Sequence, residues 1–199
     1  MFESDPTYLA TAVILGYLLG SIPFGLVLTR MAGLGDVRDI GSGSIGATNV
    51  LRTGSKTLAL LTLILDSGKG AAAAISAYYL APELAPAAAV AAVLGHLFPI
   101  WLKFEGGKGV ATTLGALAVL SWPAGLAAGL TWLLVAAIFR ISSLSSLISI
   151  GLSPVFAWYL SEPPVAIAAA NLAVFVWYRH KQNIGRLLAR EEPKIGKKK

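Results

Sequence analysis

The chain has 199 residues, 56% of them hydrophobic and only 13% charged, with a mean hydropathy of +0.72. That balance excludes a soluble globular protein and indicates a polytopic membrane protein with no room for a separate soluble domain. The absence of cysteine excludes disulfides, thiolate nucleophiles and thiolate-held metal, and two histidines leave too little for a histidine metal site. The net charge of +6 reads as a positive-inside bias and contact with anionic head groups, not as a nucleic-acid surface.

Met1 to Thr7 carries Glu3 and Asp5 and no basic residue, so it lacks the n-region of a cleaved signal peptide, and the first apolar stretch is expected to stay in the mature protein. Residues 8–29 are long enough for a hydrocarbon core that needs about 20 apolar residues. They include Gly16, Gly20, Ser21, Pro23 and Gly25, small residues that favour close helix packing. A polar loop, 30–56, follows. Residues 57–80 form a second span interrupted by Asp66 and Lys69, Ala81-Pro82-Glu83 a turn, and 85–102 a third span ending in His96-Leu97-Phe98-Pro99. Residues 110–139 are over-long for one crossing, and Ser121-Trp122-Pro123 offers the break that divides them into 110–121 and 124–139. Arg140 to Ser142 is a loop before spans 143–160 and 164–178.

Charge parity supports that break. With it, every loop containing Lys or Arg (30–56, 103–109, 140–142 and the tail from 179) lies on one side, and Glu3, Asp5, Glu83 and Glu162 lie on the other. Of 16 Lys and Arg only Lys69 falls inside a span. Six spans would put Arg140 and the basic tail opposite residues 30–56. The expected fold is therefore all-α, a single membrane-embedded domain over 1–199 with seven transmembrane helices, an extracytoplasmic N-terminus and a cytoplasmic C-terminus. The short span 110–121 suits a helix packed inside protein or lining a polar cavity. The tail 190–199 is charged and expected to fray at its end.

Three polar stretches interrupt the hydrocarbon, all on the basic side. Gly41-Ser42-Gly43-Ser44-Ile45-Gly46-Ala47-Thr48-Asn49-Val50-Leu51-Arg52 and Glu105-Gly106-Gly107-Lys108-Gly109-Val110-Ala111-Thr112-Thr113 combine glycines, neutral donors and one cation each. These are the parts of a phosphate cradle, since glycines let the backbone approach a ligand and turned N–H groups converge on negative charge. Arg179-His180-Lys181-Gln182-Asn183-Ile184-Gly185-Arg186 adds basic and amide groups. The bland alternatives are a flexible connector for 41–52 and a snorkelling interfacial lysine for Lys108. Neither stretch is a Walker loop. Asp66 and Lys69, at i and i+3, read equally as an intramembrane ion pair and as lining of the site. His96 reads as a buried histidine bonded to a carbonyl, and Ser143, Ser145 and Ser146 as packing serines. His180 can share a helical face with Asn183. No His is followed five positions later by Asp, and no G-x-S-x-G elbow exists. An enzyme built from these parts would act by binding and electrostatic stabilisation of an already activated substrate. A carrier of an organic phosphate and a lipid-binding scaffold are the rival classes; one-sided polar loops count against the first and a glycine-rich cradle against the second.

Gly20-Ser21-Ile22-Pro23, the 41–52 stretch, Gly95-His96-Leu97-Phe98-Pro99, Gly106-Gly107-Lys108-Gly109-Val110-Ala111-Thr112 and Arg179-His180-x-x-Asn183-Ile184-x-Arg186-Leu187 together resemble the bacterial PlsY family of acyl-phosphate:glycerol-3-phosphate acyltransferases, from about residue 8 to 190. The resemblance implies transfer of a fatty acyl group from acyl phosphate to the 1-hydroxyl of glycerol 3-phosphate, giving lysophosphatidic acid and phosphate in bacterial phospholipid synthesis. It implies a multi-pass inner-membrane protein, a monomer without cofactor or metal, with its active site on the cytoplasmic face. It implies a phosphate-holding site of Ser42, Arg52, Lys108, Ser146, His180 and Asn183. Gly43, Gly46 and Asn49 would shape the first loop, and Gly106, Gly107 and Gly109 the glycerol-phosphate element. Ser44 stands where the family often has Asn and Glu105 where Lys is frequent, so those two side-chain roles do not carry over.

Overall fold

In the computed structural model, residues 6–196 are described, and these are helical with no strand among them. The expected positions of Glu3 and Asp5, and the expected fraying of Lys197, Lys198 and Lys199, lie outside the described residues. Five stretches are long and apolar enough to cross a membrane: Pro6–Met31, Lys56–Leu80, Pro82–Leu102, Trp122–Phe139 and Ser142–Leu160. Val110–Leu120 is a shorter apolar helix.

The first stretch is not continuous. Helix α1 (Pro6–Gly20) stops and α2 (Phe24–Met31) restarts after Ser21-Ile22-Pro23, because Pro23 has no N–H to continue the ladder and disfavours the helical conformation at Ile22. Ser21 caps the break by donating its Oγ–H to the Tyr17 carbonyl at 2.7 Å. The one-turn α3 (Ala47–Val50) lies in the following loop, and α4 (Lys56–Leu80) starts on Ser55, whose Oγ accepts the Leu58 N–H. α5 (Ala85–Leu97) ends earlier than the 85–102 reading, with a separate 3₁₀ turn at Ile100–Leu102. α6 (Val110–Leu120) and α7 (Trp122–Phe139) are divided at Ser121, in extended conformation with Pro next but one, where the sequence places the break. α8 (Ser142–Leu160), α9 (Pro163–Arg179) and α10 (Lys181–Leu188) complete the chain. Pro154 inside α8 removes the N–H that would serve the Ile150 carbonyl, and the Ser153 hydroxyl bonds that carbonyl instead at 2.8 Å.

Small residues let the helices close on one another. A Cβ at Gly20 would run into the Ala92 backbone, one at Gly16 into Ala88, and one at Gly115 into Ser67, so α1 lies on α5 and α6 on α4 at backbone contact. The centre is alanine-rich: Ala74, Ala89, Ala92, Ala116 and Ala169 are fully buried. Large side chains such as Ile14, Leu15, Leu134, Ile138, Ile167 and Val174 face outward, the inverse of a water-soluble core and the pattern of a lipid-facing surface. Among the described residues the basic loops gather at one end of this bundle. Thr48 meets Ser142 there at 3.2 Å, Arg179 bonds Gly106, and the Ile195 N–H bonds the Arg140 carbonyl. At the opposite end Ser121 bonds the Leu160 carbonyl.

Candidate active site

The 41–52 loop is built around Asn49. Its Nδ2 donates to the carbonyls of Val37, Ile40 and Ser44, and its Oδ1 accepts from the Ser42 N–H and from Arg52 Nη1, both at 3.0 Å. The side chain is thus spent inside the loop, and its effect is to aim Arg52. Gly43 takes a φ of +66° that suits glycine, and Gly46 caps α3. Outside this turn Asp36 binds Arg38 and Arg30; the Arg38 hydrogen bond, against some burial, holds its carboxyl well below the usual range.

The 105–109 loop is held from two sides. The Gly106 and Gly107 N–H groups return to the Leu97 and His96 carbonyls at the end of α5. Their own carbonyls accept from Arg179 Nη2 at 2.8 Å and Nε at 3.2 Å. Those two amides therefore do not form the turned N–H cradle expected from the glycines. The glycines are needed for proximity: a Cβ at Gly107 would overlap the His96 ring, and one at Gly106 the His96 carbonyl. Gly109, at φ +79°, turns the chain into α6 and leaves Lys108 as the loop's cation.

These loops meet the third stretch around a residue that pattern reading passes over. Glu192 Oε1 accepts from Ser143 Oγ at 2.7 Å and from Asn183 Nδ2 at 2.5 Å, while Oε2 accepts from Arg186 Nε at 2.6 Å. Burial would raise its pKa, but the hydrogen bonds from Asn183, Ser143 and Arg186 outweigh that and hold it below the ordinary value. Arg52 and Lys108 lie within electrostatic reach of both Glu192 and Arg186, so three cations face one carboxylate. Burial pushes Lys108 down to about 8, with Arg186, Arg52 and Arg179 adding to the effect and Glu192 opposing it. Arg52 is lowered too, mostly by burial. His180 is buried, and its Nδ1 lies 2.7 Å from the Val176 carbonyl, which can only accept, so Nδ1 carries the proton and the neutral ring keeps its Nε2 lone pair. Burial, with Lys108 nearby, lowers His180 to about 4.

Arg52, Lys108, His180 and Asn183 are thus brought together, and Ser42 is tied to Arg52 through Asn49. Ser146 is engaged elsewhere: its hydroxyl donates to the Ser142 carbonyl and accepts the Trp132 indole N–H, which fixes α7 to α8. The serine that reaches the cluster is Ser143. His96 also departs from the expected carbonyl bond, with Nδ1 facing Asp66 Oδ1 at 3.6 Å. Lys69 Nζ lies 2.8 Å from Asp66 Oδ1 and donates to the Ile22 carbonyl at 2.8 Å, so Asp66 and Lys69 form a buried pair that fastens α4 to the break between α1 and α2. Glu192 went unread because it carries no pattern of its own, and Arg179, read only as a basic member of the third stretch, is found holding the Gly106 and Gly107 carbonyls. The arrangement as a whole is a positively charged, partly buried anchorage for anionic groups, with amide and hydroxyl donors and one weakly basic imidazole.

The profile of the family described as glycerol-3-phosphate acyltransferase matches residues 10–190. The chain is 63% identical over 192 residues to the glycerol-3-phosphate acyltransferase of Paramagnetospirillum magneticum, covering 96% of each. It is 58% identical to that of Rhodospirillum rubrum, covering 96% of this chain and 93% of the other. In structure it is similar to PlsY, an integral membrane glycerol 3-phosphate acyltransferase, in its glycerol 3-phosphate form (TM-score 0.89, 36% identity, 94% of this chain and 96% of that one). The lysophosphatidic acid form of the same enzyme gives a TM-score of 0.88 at 35% identity, over 94% and 95% of the two chains.

Proposed function

The chain belongs to the glycerol-3-phosphate acyltransferase family, and on that premise we propose that it moves a fatty acyl group from acyl phosphate to the 1-hydroxyl of glycerol 3-phosphate, releasing lysophosphatidic acid and phosphate. The observation that carries this reading is the gathering of Arg52, Lys108 and Arg186 with Asn183 and His180 at one end of the bundle. Two phosphate-bearing substrates need more positive charge than one carboxylate balances. Arg52 supplies a planar fork for one phosphate and Lys108 a point charge for the other, while the Ser42 hydroxyl and the second N–H of Asn183 Nδ2 are the donors available to orient the carbonyl, the Ser143 and Ser146 hydrogens being engaged with Glu192 and with the Ser142 carbonyl.

An acyl phosphate is a mixed anhydride, so the reaction needs no covalent acyl-enzyme. The 1-hydroxyl oxygen forms a bond to the acyl carbon, the bond from that carbon to the phosphate oxygen breaks, and the hydroxyl proton passes to the departing phosphate. Proton transfer to the substrate is favoured over transfer to His180, because a ring held at about 4 is a weak base at neutral pH. His180 Nε2 serves instead as an acceptor that orients the hydroxyl. In the membrane, α1 with α2, then α4, α5, α6, α7, α8 and α9 would make seven crossings. The N-terminus would be extracytoplasmic and the site at the cytoplasmic face of the inner membrane, with the chain acting as a monomer and the acyl tail lying between helices. The gathering of the basic loops at one end supports that topology.

The reading is tested by supplying the protein in lipid with labelled glycerol 3-phosphate and palmitoyl phosphate, palmitoyl-CoA or palmitoyl carrier protein. Product from the acyl phosphate alone is expected. Product from a thioester would overturn the donor, and no product from folded protein would overturn the chemistry. The state of Lys108 adds a pH test. Its folded pKa of about 8 means that the charged form prevails below that value and is lost above it. The value of kcat/KM is expected to fall as pH rises through about 8, and Lys108→Arg should carry the active plateau further up, since guanidinium stays charged. An identical alkaline limb in both proteins would remove Lys108 as its source.

A further inference from the structure

Asp66, Lys69 and His96 are 1%, 3% and 3% exposed, and none belongs to the phosphate-holding cluster. Together they join three parts of the chain. Lys69 is fixed to the carbonyl at the α1–α2 break and to Asp66. Asp66 faces one nitrogen of His96. The other edge of the His96 ring lies against Gly107, so close that a single added carbon there would fall on ring atoms. The His96 carbonyl takes the Gly107 N–H at 3.0 Å. Arg179, stacked 5.4 Å over the Phe98 ring, donates to the Gly106 and Gly107 carbonyls. The Gly-Gly dipeptide is therefore held by both an imidazole and a guanidinium, and Lys108 follows this clamped segment.

We propose that Asp66, Lys69 and His96 are positioning residues, a buried relay of contacts from the α1–α2 break to Gly107 that sets where Lys108 stands. The proposal rests on the reading of Lys108 as a phosphate ligand, and it requires that His96 act on substrate only through the loop. Loss of the ring frees Gly107 without removing any group that touches substrate. The effect belongs in KM for the phosphate held by Lys108 and not in the chemical step.

The test compares His96→Ala, His96→Gln, Gly107→Ala and the double variant His96→Ala/Gly107→Ala with the wild type in lipid nanodiscs. Amide hydrogen exchange is read at 106–107 without substrate, and kcat and KM are read with it. In His96→Ala the Gly106 and Gly107 amides are expected to exchange about tenfold faster with α8 and α9 unchanged, and KM for glycerol 3-phosphate to rise about tenfold with kcat within about threefold. His96→Gln keeps a flat polar group on Gly107 and a donor toward Asp66, and should recover most of both. Gly107→Ala alone should be damaging, but in the double variant its methyl occupies the space the ring vacated, so the double should be no worse than His96→Ala. Unchanged exchange in His96→Ala, or single effects that multiply in the double, would overturn the proposal. Faster exchange with an unmoved KM would instead overturn Lys108 as a substrate ligand and leave the clamp standing, so the two failures are distinct.

Discussion

Arg52→Ala is expected to lower kcat/KM by about 10²–10³-fold, the usual cost of removing one donor that meets charge developing at a reacting centre. The architecture makes this substitution informative. Asn49 organises the loop through three carbonyls and the Ser42 N–H, none of which involves Arg52, so the loop should keep its shape and the protein its melting temperature. Arg52→Lys should fall between the two, because an ammonium supplies the charge without the fork. Turnover near the wild-type level in Arg52→Ala would end the assignment of Arg52 to the reacting phosphate.

Glu192→Ala should act mainly on stability. It deletes acceptors for Ser143, Asn183 and Arg186 and leaves Arg52, Lys108 and Arg186 facing one another without a counter-charge. With the Arg186 share discounted because that side chain is about a third exposed (36%), the loss is on the order of 2–3 kcal/mol, seen as a lower melting temperature and a released C-terminal segment. The pH dependence has a definite sign. The folded-state pKa of Glu192 lies below its ordinary value, so its stabilisation is present above the unfolded-state pKa and is lost as pH falls through the depressed one. The wild type should therefore lose its margin over Glu192→Ala on acidification. Equal melting temperatures at neutral pH would show that the carboxylate is not a keystone of the site.

The helices were legible because their limits are written in local chemistry. Trp122-Pro123 marks the division of α6 from α7, and alternation of apolar runs with basic loops places the rest. Pro23 carried the same signal for the α1–α2 break, but a mostly apolar stretch from 8 to 29 with no charged residue masks it. Arg52, Lys108, His180 and Asn183 were legible because they sit in motifs. Glu192 was not, since it lies in a charged run that reads as solvated tail, and only the return of Ile195 to Arg140 brings it back over α8. Nor can sequence separate Ser143 from Ser146: three positions apart on one helix, they differ only in which neighbour, Glu192 or Trp132, the tertiary fold supplies. The clamp on Gly107 and the bond from Lys69 to Ile22, 47 residues away, are equally products of packing.

The collection of the described basic loops at one end, with an alanine-packed interior behind them, has a consequence for the membrane as a sheet. On the function proposed above, each lipid would be laid into the monolayer at that end, which would gain area while its partner gained none. A bilayer tolerates little difference in area between its faces before it bends. That reaction would therefore set a demand for a separate passage of lipid from one face to the other, at a rate matched to synthesis.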